Sequence, residues 1–193
     1  MMTTPPKRDK GSHPIRAGIA EVLHGAGGLF AECSEAVSRA VFDALHEAGR
    51  AGASAAESVA AVIRNAIHSS EPVEEEAELL IKGIGVGVLH GTRESGDEAL
   101  RTIARTSRTV IREISRKGGD LAQASRGLVK GAVHSAKELG LDAAHAASAA
   151  ADAAMDEAEE IGHDACAQVR PAVEESIEGI RIRVRERRKR SAS

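Results

Sequence analysis

Apolar residues recur along this chain on an 11-residue period. From Ile15 the spacing is 4-3-4: Ile15, Ile19, Val22; Ala26, Phe30, Cys33; Val37, Val41, Ala44; Ala48, Gly52, Ala55; Val59, Ile63, Ala66. All fifteen positions are apolar or glycine. Eleven residues make almost three whole turns of α-helix, so one face stays aligned over a long distance. The histidines obey the same period. His13, His24, His46, His68, His90, His134 and His145 share one phase, and only His163 is out of step. At about 98° per residue that phase lies opposite the apolar triplets, so these side chains are predicted to face solvent. His24, His46 and His68 would stand roughly 33 Å apart along one helix, too far to share a metal ion. Their plainest origin is an ancestral repeat unit, and their one functional reading is a pH-responsive surface.

The expected architecture is all-α, with about three long helices in an elongated antiparallel bundle and a short basic helix at the C-terminus. Residues 1–13 read as a flexible tail, residues 14–170 as the helical domain and residues 171–193 as the basic C-terminal helix and tail. A first break is expected at 68–72, where Ser70 caps the next helix and Pro72 falls in its first turn. A second is expected at 118–120, where Gly118 and Gly119 end one helix and Asp120 opens the next. The middle region has weaker triplets but carries Gly83, Gly87 and Gly91 at i, i+4, i+8. Such a stripe lets two helices approach closely. In the third region nine of twelve core positions are alanine, among them Ala143, Ala147, Ala150 and Ala154. These read as a close-packed seam. Pro171 is expected to kink the chain or to start the last helix, which carries the basic tail.

Composition fits this plan. Aromatic residues make up 1% of the 193, namely Phe30 and Phe42, so helices must pack closely on small side chains. With 42% apolar and 28% charged residues the chain can fold. Charge is blocked. Five acids lie between Glu71 and Glu78, bases dominate from Arg93 to Lys137, and ten acids face one base between Asp142 and Glu178. Arg181, Arg183, Arg185, Arg187, Arg188, Lys189 and Arg190 then make a basic tail, interrupted by Glu186. This tail is the strongest interaction candidate. Its partners would be the acidic block 142–178, an anionic lipid or granule surface, or nucleic acid without sequence specificity. The net charge of −3 and the lack of stacking aromatics argue against nucleic acid as the main partner.

No motif marks a catalytic site. His163 and Cys166 are a lone two-ligand spacing, which is a weak metal signal. The run Gly83 to Gly87 lacks the phosphate-loop pattern. No nucleophile–base pair or buried acid dyad stands out, and no cofactor or small-molecule substrate is expected. Cys33 and Cys166 form no disulfide framework, there is no apolar signal core at the start, and the longest apolar run, Leu79 to Gly91, is too short to span a bilayer. The expectation is a cytoplasmic protein, in places peripheral to a membrane or granule, with a composition of bacterial character.

Over residues 15–170 this periodicity resembles two groups of hendecad proteins. One coats lipid or granule surfaces: exchangeable apolipoproteins, synucleins, perilipins and, more loosely, phasins. The other is the late-embryogenesis-abundant class of desiccation protectants. The resemblance lies in period and composition. The Lys-Thr-Lys-Glu-Gly unit of synucleins is absent, and no functional residue carries over. The first expectation is a non-catalytic helical scaffold that self-associates through Ala-rich seams. The alternatives are an amphipathic coat and a stress-protective helix.

Overall fold

A computed structural model describes residues 28–70, 76–175, 177, 179, 180 and 182. Among them are seven helices rather than three long ones: α1 (Leu29–Ala51), α2 (Ala55–Ser69), α3 (Ala77–Thr92), α4 (Gly96–Lys117), α5 (Leu121–Leu139), α6 (Ala143–Ile161) and α7 (His163–Glu174). The expected breaks near 70 and at 118–120 are present, but Ser70 ends α2 and does not cap α3, which opens at Ala77 after Glu76. Four more cut the apolar seam, at 52–54, 93–95, 140–142 and 162.

Three of the turns share one local chemistry. Gly52, Gly118 and Gly140 take left-handed backbone conformations with φ of 67°, 74° and 67°. A side chain there would be strained, and glycine is not. The amide that follows each glycine donates to a carbonyl five residues back: Ala53 to Ala48 at 3.0 Å, Gly119 to Ile114 at 3.0 Å and Leu141 to Ala136 at 2.8 Å. This is the Schellman closure of a helix C-terminus. One residue later Ser54, Asp120 and Asp142 cap the next helix, accepting from the amides of Glu57, Gln123 and His145. Gly-x-Ser/Asp is therefore a complete stop-and-start signal. Gly52, assigned by period to the apolar seam, is instead an exposed cap.

The turns fold the chain into two layers. The most extensive contacts join helices two places apart, α1 with α3, α3 with α5 and α4 with α6, and α5 on α7 and α2 on α4 complete the two layers. One layer is α1, α3, α5 and α7, and the other is α2, α4 and α6. Neighbours within a layer run parallel. Gly83, Gly87 and Gly91 of α3 meet Phe30, Ser34 and Ser38 of α1 in ascending order. The arrangement is a helical-repeat stack, not an up-down-up bundle. The 11-residue unit continues through it, but every second unit holds a turn.

Each helix is therefore buried on more than one side. The seam residues Val37, Val41, Ile63, Ile81, Ile84, Val88 and Val110 are at most 1% exposed. So are Val86, Ile111, Val129 and Val133, which lie off the seam. Pro171 opens no new helix. It lies inside α7, and the chain then makes a tight turn in which Ile177 and Ile180 exchange two backbone hydrogen bonds. Ile177 and Ile182 join the core. The N-terminal tail, the first apolar triplet and the basic residues Arg181, Arg183, Arg185, Arg187, Arg188, Lys189 and Arg190 lie outside the described residues.

Candidate functional site

The two layers are held by different chemistry. In the first, glycine brings backbones together. A Cβ on Gly87 would sit 2.6 Å from the Ser34 carbonyl oxygen and 2.8 Å from Val37 Cβ. One on Gly91 would sit 2.6 Å from the Ser38 oxygen and 2.6 Å from Val41 Cβ. At Gly83 the first obstacles are Cys33 Cβ at 3.0 Å and the Phe30 oxygen at 3.1 Å. The same stripe returns one helix later in the layer. Gly127 and Gly131 of α5 press on the Glu78 and Lys82 oxygens of α3, at 2.6 and 3.0 Å from the position of a Cβ. Gly127, Gly131 and Ser135 are the positions of Gly83, Gly87 and Gly91 moved on by 44 residues. That recurrence was present in the sequence and would have revealed the stack. Cys33 lies under this contact, and burial pushes its thiol up to about 12.

In the second layer, carboxylates bind cations. Glu113 of α4 is 4% exposed. His68 Nε2 of α2 lies 3.3 Å from its Oε2 and Arg64 Nε 3.9 Å from its Oε1. Arg116 of the same helix adds a third contact at 2.9 Å. Beside them the Lys117 ammonium donates to the carbonyls of Ile67 and Ser70 at 2.9 and 2.5 Å, closing the end of α2. One step on, Glu157 of α6 is 2% exposed and receives Arg112 of α4 through two bonds of 2.7 Å. Arg108 bonds Asp156 at 2.6 Å. Arg64, His68 and Glu113 thus become Arg108, Arg112 and Glu157, again at a shift of 44. The hydrogen bond to Glu157 raises Arg112 above the ordinary guanidinium value.

The in-phase histidines belong partly to such contacts. His90 of α3 lies 2.9 Å from Glu138 of α5, and His134 lies 3.5 Å from the same carboxylate. Phe30 meets the His134 ring edge-on at 5.2 Å, with the Lys82 ammonium 4.6 Å from the Phe30 centroid. His46, His145 and His163 are exposed. Among the described residues no group of three His, Cys, Asp or Glu is placed to hold a metal ion.

A cavity of about 70 Å³ lies between the end of α1, the first half of α2 and the first half of α4. Val59 and Ile63 line one side and Thr102, Thr106 and Thr109 the other. Pockets that hold drug-sized ligands have roughly 300–1,000 Å³. Glu94, at the α3–α4 turn, accepts from the Thr102 hydroxyl. Among the described residues the rest of its polar lining is Thr92 and Arg105.

The chain matches no family model, no curated protein and no solved structure. Its own geometry must carry the reading. Ala147, Ala150 and Ala154 are fully buried within the chain, and Ala143 is half-buried. Self-association would therefore need some other surface. No described helix is long and apolar enough to cross a membrane.

Proposed function

We propose that the protein is a non-catalytic helical-repeat scaffold. The observation that carries this is the recurrence of one set of interhelical contacts at a 44-residue step, glycine on backbone in one layer and carboxylate on cation in the other. A chain whose buried polar and small residues serve helix–helix contact has little left for chemistry. Its outward-facing side chains then remain for a partner, as in other stacked-helix proteins. Nucleic acid is a poor main partner. The arginines of α4 lie on one stripe, but Arg101, Arg108, Arg112 and Arg116 already pair with Glu98, Asp156, Glu157 and Glu113.

The coat reading is weaker. The residues that would enter lipid, such as Val37, Val41, Ile63 and Val88, are buried against protein, and exposing them costs about 1.5–3 kcal/mol for each large apolar side chain. Circular dichroism with and without anionic vesicles separates the readings. A scaffold is strongly helical alone and unchanged by vesicles. A coat gains helix on vesicles, and a stress protectant is disordered in dilute buffer. Either of the latter results overturns the proposal.

A further inference from the structure

The far side of α6 breaks the charge rule of its layer. A stripe at spacing 4-3-4 on each helix faces the next one. On α2 it holds Ala60, Arg64 and Ile67, and on α4 it holds Ala104, Arg108, Ile111 and Ser115. Arg64 and Arg108 reach carboxylates of the following helix, while Ile67 and Ile111 are 1% and 0% exposed beneath it. On α6 the same positions are Ser148, Asp152, Met155 and Glu159. At about 100° per residue this stripe lies opposite Glu157, the residue that faces α4. Asp152 therefore replaces the cation and Glu159 replaces Ser115, and no further described helix follows α6 in its layer. Yet Met155 is 3% exposed, like its counterparts. Asp152 is half-buried, and both Asp152 and Glu159 take part in polar or charge interactions.

The chain itself indicates the occupant. Successive helices alternate between layers, and α7 belongs to the first, so the segment after it is due beside α6. Ile177 and Ile182 are 5% and 6% exposed in the same core, so the chain is anchored on the body of the fold at the point where the basic run begins. Lys189 lies seven residues beyond Ile182, a reach of up to ~25 Å. The acids from Asp152 to Glu159 span only about 10 Å of helix. The segment that arrives carries Arg183, Arg185, Arg187, Arg188, Lys189 and Arg190, the sign that this stripe requires and the helices α4 and α6 do not present to their predecessors.

We propose that residues 183–190 of the chain dock along Asp152 and Glu159 and close the second layer, with the charge polarity of the earlier interfaces reversed. Of the partners that the sequence offers this basic run, the chain's own acidic block is then the one it takes, and the run becomes available only to a competitor that displaces it.

The test uses the full chain, with light and heavy isotope-labelled protein mixed in equal amounts. A zero-length carboxyl–amine cross-linker joins Lys189 to nearby acids, and the products are mapped by mass spectrometry. The expected result is Lys189 joined to Asp152 or Glu159 within one isotopic chain, with yield reduced several-fold by about 0.5 M salt. The D152N/E159Q variant, which has no carboxyl to couple at either position, should leave the helical circular dichroism unchanged while speeding tryptic cleavage at Arg183–Arg190 several-fold. Light–heavy cross-links as abundant as same-isotope ones, the proportion that pairing between molecules gives in an equal mixture, would assign the stripe to a second copy and overturn the proposal. So would no link to these acids, or a cleavage rate that the variant does not change.

Discussion

The two layers are built from one 11-residue pattern, yet different contacts lie buried between their helices. In the layer of α1, α3, α5 and α7, glycines bring the backbones of α1, α3 and α5 together, and the charge pairs Lys130–Glu78 and His90–Glu138 lie at the partly exposed edge. The layer of α2, α4 and α6 keeps long charged side chains and clamps each helix to the next through a buried carboxylate. The period fixes which side of a helix turns inward. It does not fix the kind of contact, which follows from the residues beside the apolar seam.

The largest effect should come from crowding the first layer. Gly87→Val places its Cβ 2.6 Å from the Ser34 oxygen, a backbone atom that cannot swing aside. Overpacking costs about 1–3 kcal/mol and more against backbone, so urea unfolding should show a loss of about 3 kcal/mol or a failure to fold. Gly85→Ala in the same helix is the control. A Cβ there meets nothing within 4 Å, and helix propensity alone should add up to about 1 kcal/mol. If both variants behave alike, close backbone contact is not what holds this layer.

Glu157→Gln tests the second layer. It removes the charge that receives Arg112, whose side chain is 44% exposed and can turn to solvent. That exposure discounts the cost to about 1–3 kcal/mol. Glu157→Gln combined with Arg112→Gln should lose less than the sum of the two single variants. A purely additive double-mutant cycle would show that the clamp contributes nothing as a pair.

Cys33 connects the first layer to pH. Its thiol ionises at about 12 when folded, against 9.0 for the ordinary group. The folded state thus holds the proton longer. The resulting stability is complete below about pH 9 and is lost as pH rises toward about 12. Unfolding free energy at about pH 10.5 should be lower than at about pH 8 by about 2 kcal/mol more than in Cys33→Ala. At neutral pH a thiol reagent should modify the half-buried Cys166 and spare Cys33. Rapid labelling of both would mean that α1 and α3 separate readily.

The smallest effect concerns the turns common to both layers. Asp142→Ala deletes the cap that accepts from the His145 amide at 2.7 Å and should cost about 1 kcal/mol. A larger loss would show that the turn, and not the packing, sets the register of α6.

Much of this was legible in the sequence, though not all of it as one pattern. The period marked Val37, Val41, Ile63, Ile81 and Val110 as inward, and they are buried. It marked the histidines as outward, and the described ones are exposed or half-exposed. The glycine stripe of α3 stood out because its three members lie close together. Its repeat at Gly127 and Gly131 was hidden by distance along the chain. The turns at 52–54, 140–142 and 162 were missed for a physical reason. A tight Gly-x-Ser/Asp turn spends about as many residues as a helical turn, so the apolar phase continues across it and a seam of one long helix looks the same as two helices folded back. Only the glycine followed two residues later by a capping side chain tells them apart, at 52–54, 118–120 and 140–142. The charged clamp was illegible because Glu113 and Glu157 look like ordinary surface acids until the helix two places back is known.

The spacing of those turns sets a rule for how such a chain can change length. Gly52, Gly118 and Gly140 fall on one 22-residue grid, half the step that relates equivalent contacts. Losing a block of 44 residues would return every later helix to its own layer with the same neighbours. Losing 22 would keep every turn intact and yet deliver each later helix to the opposite layer, setting bare glycine against charge clamp. Duplications of this molecule should therefore survive in whole helix pairs and fail in single helices.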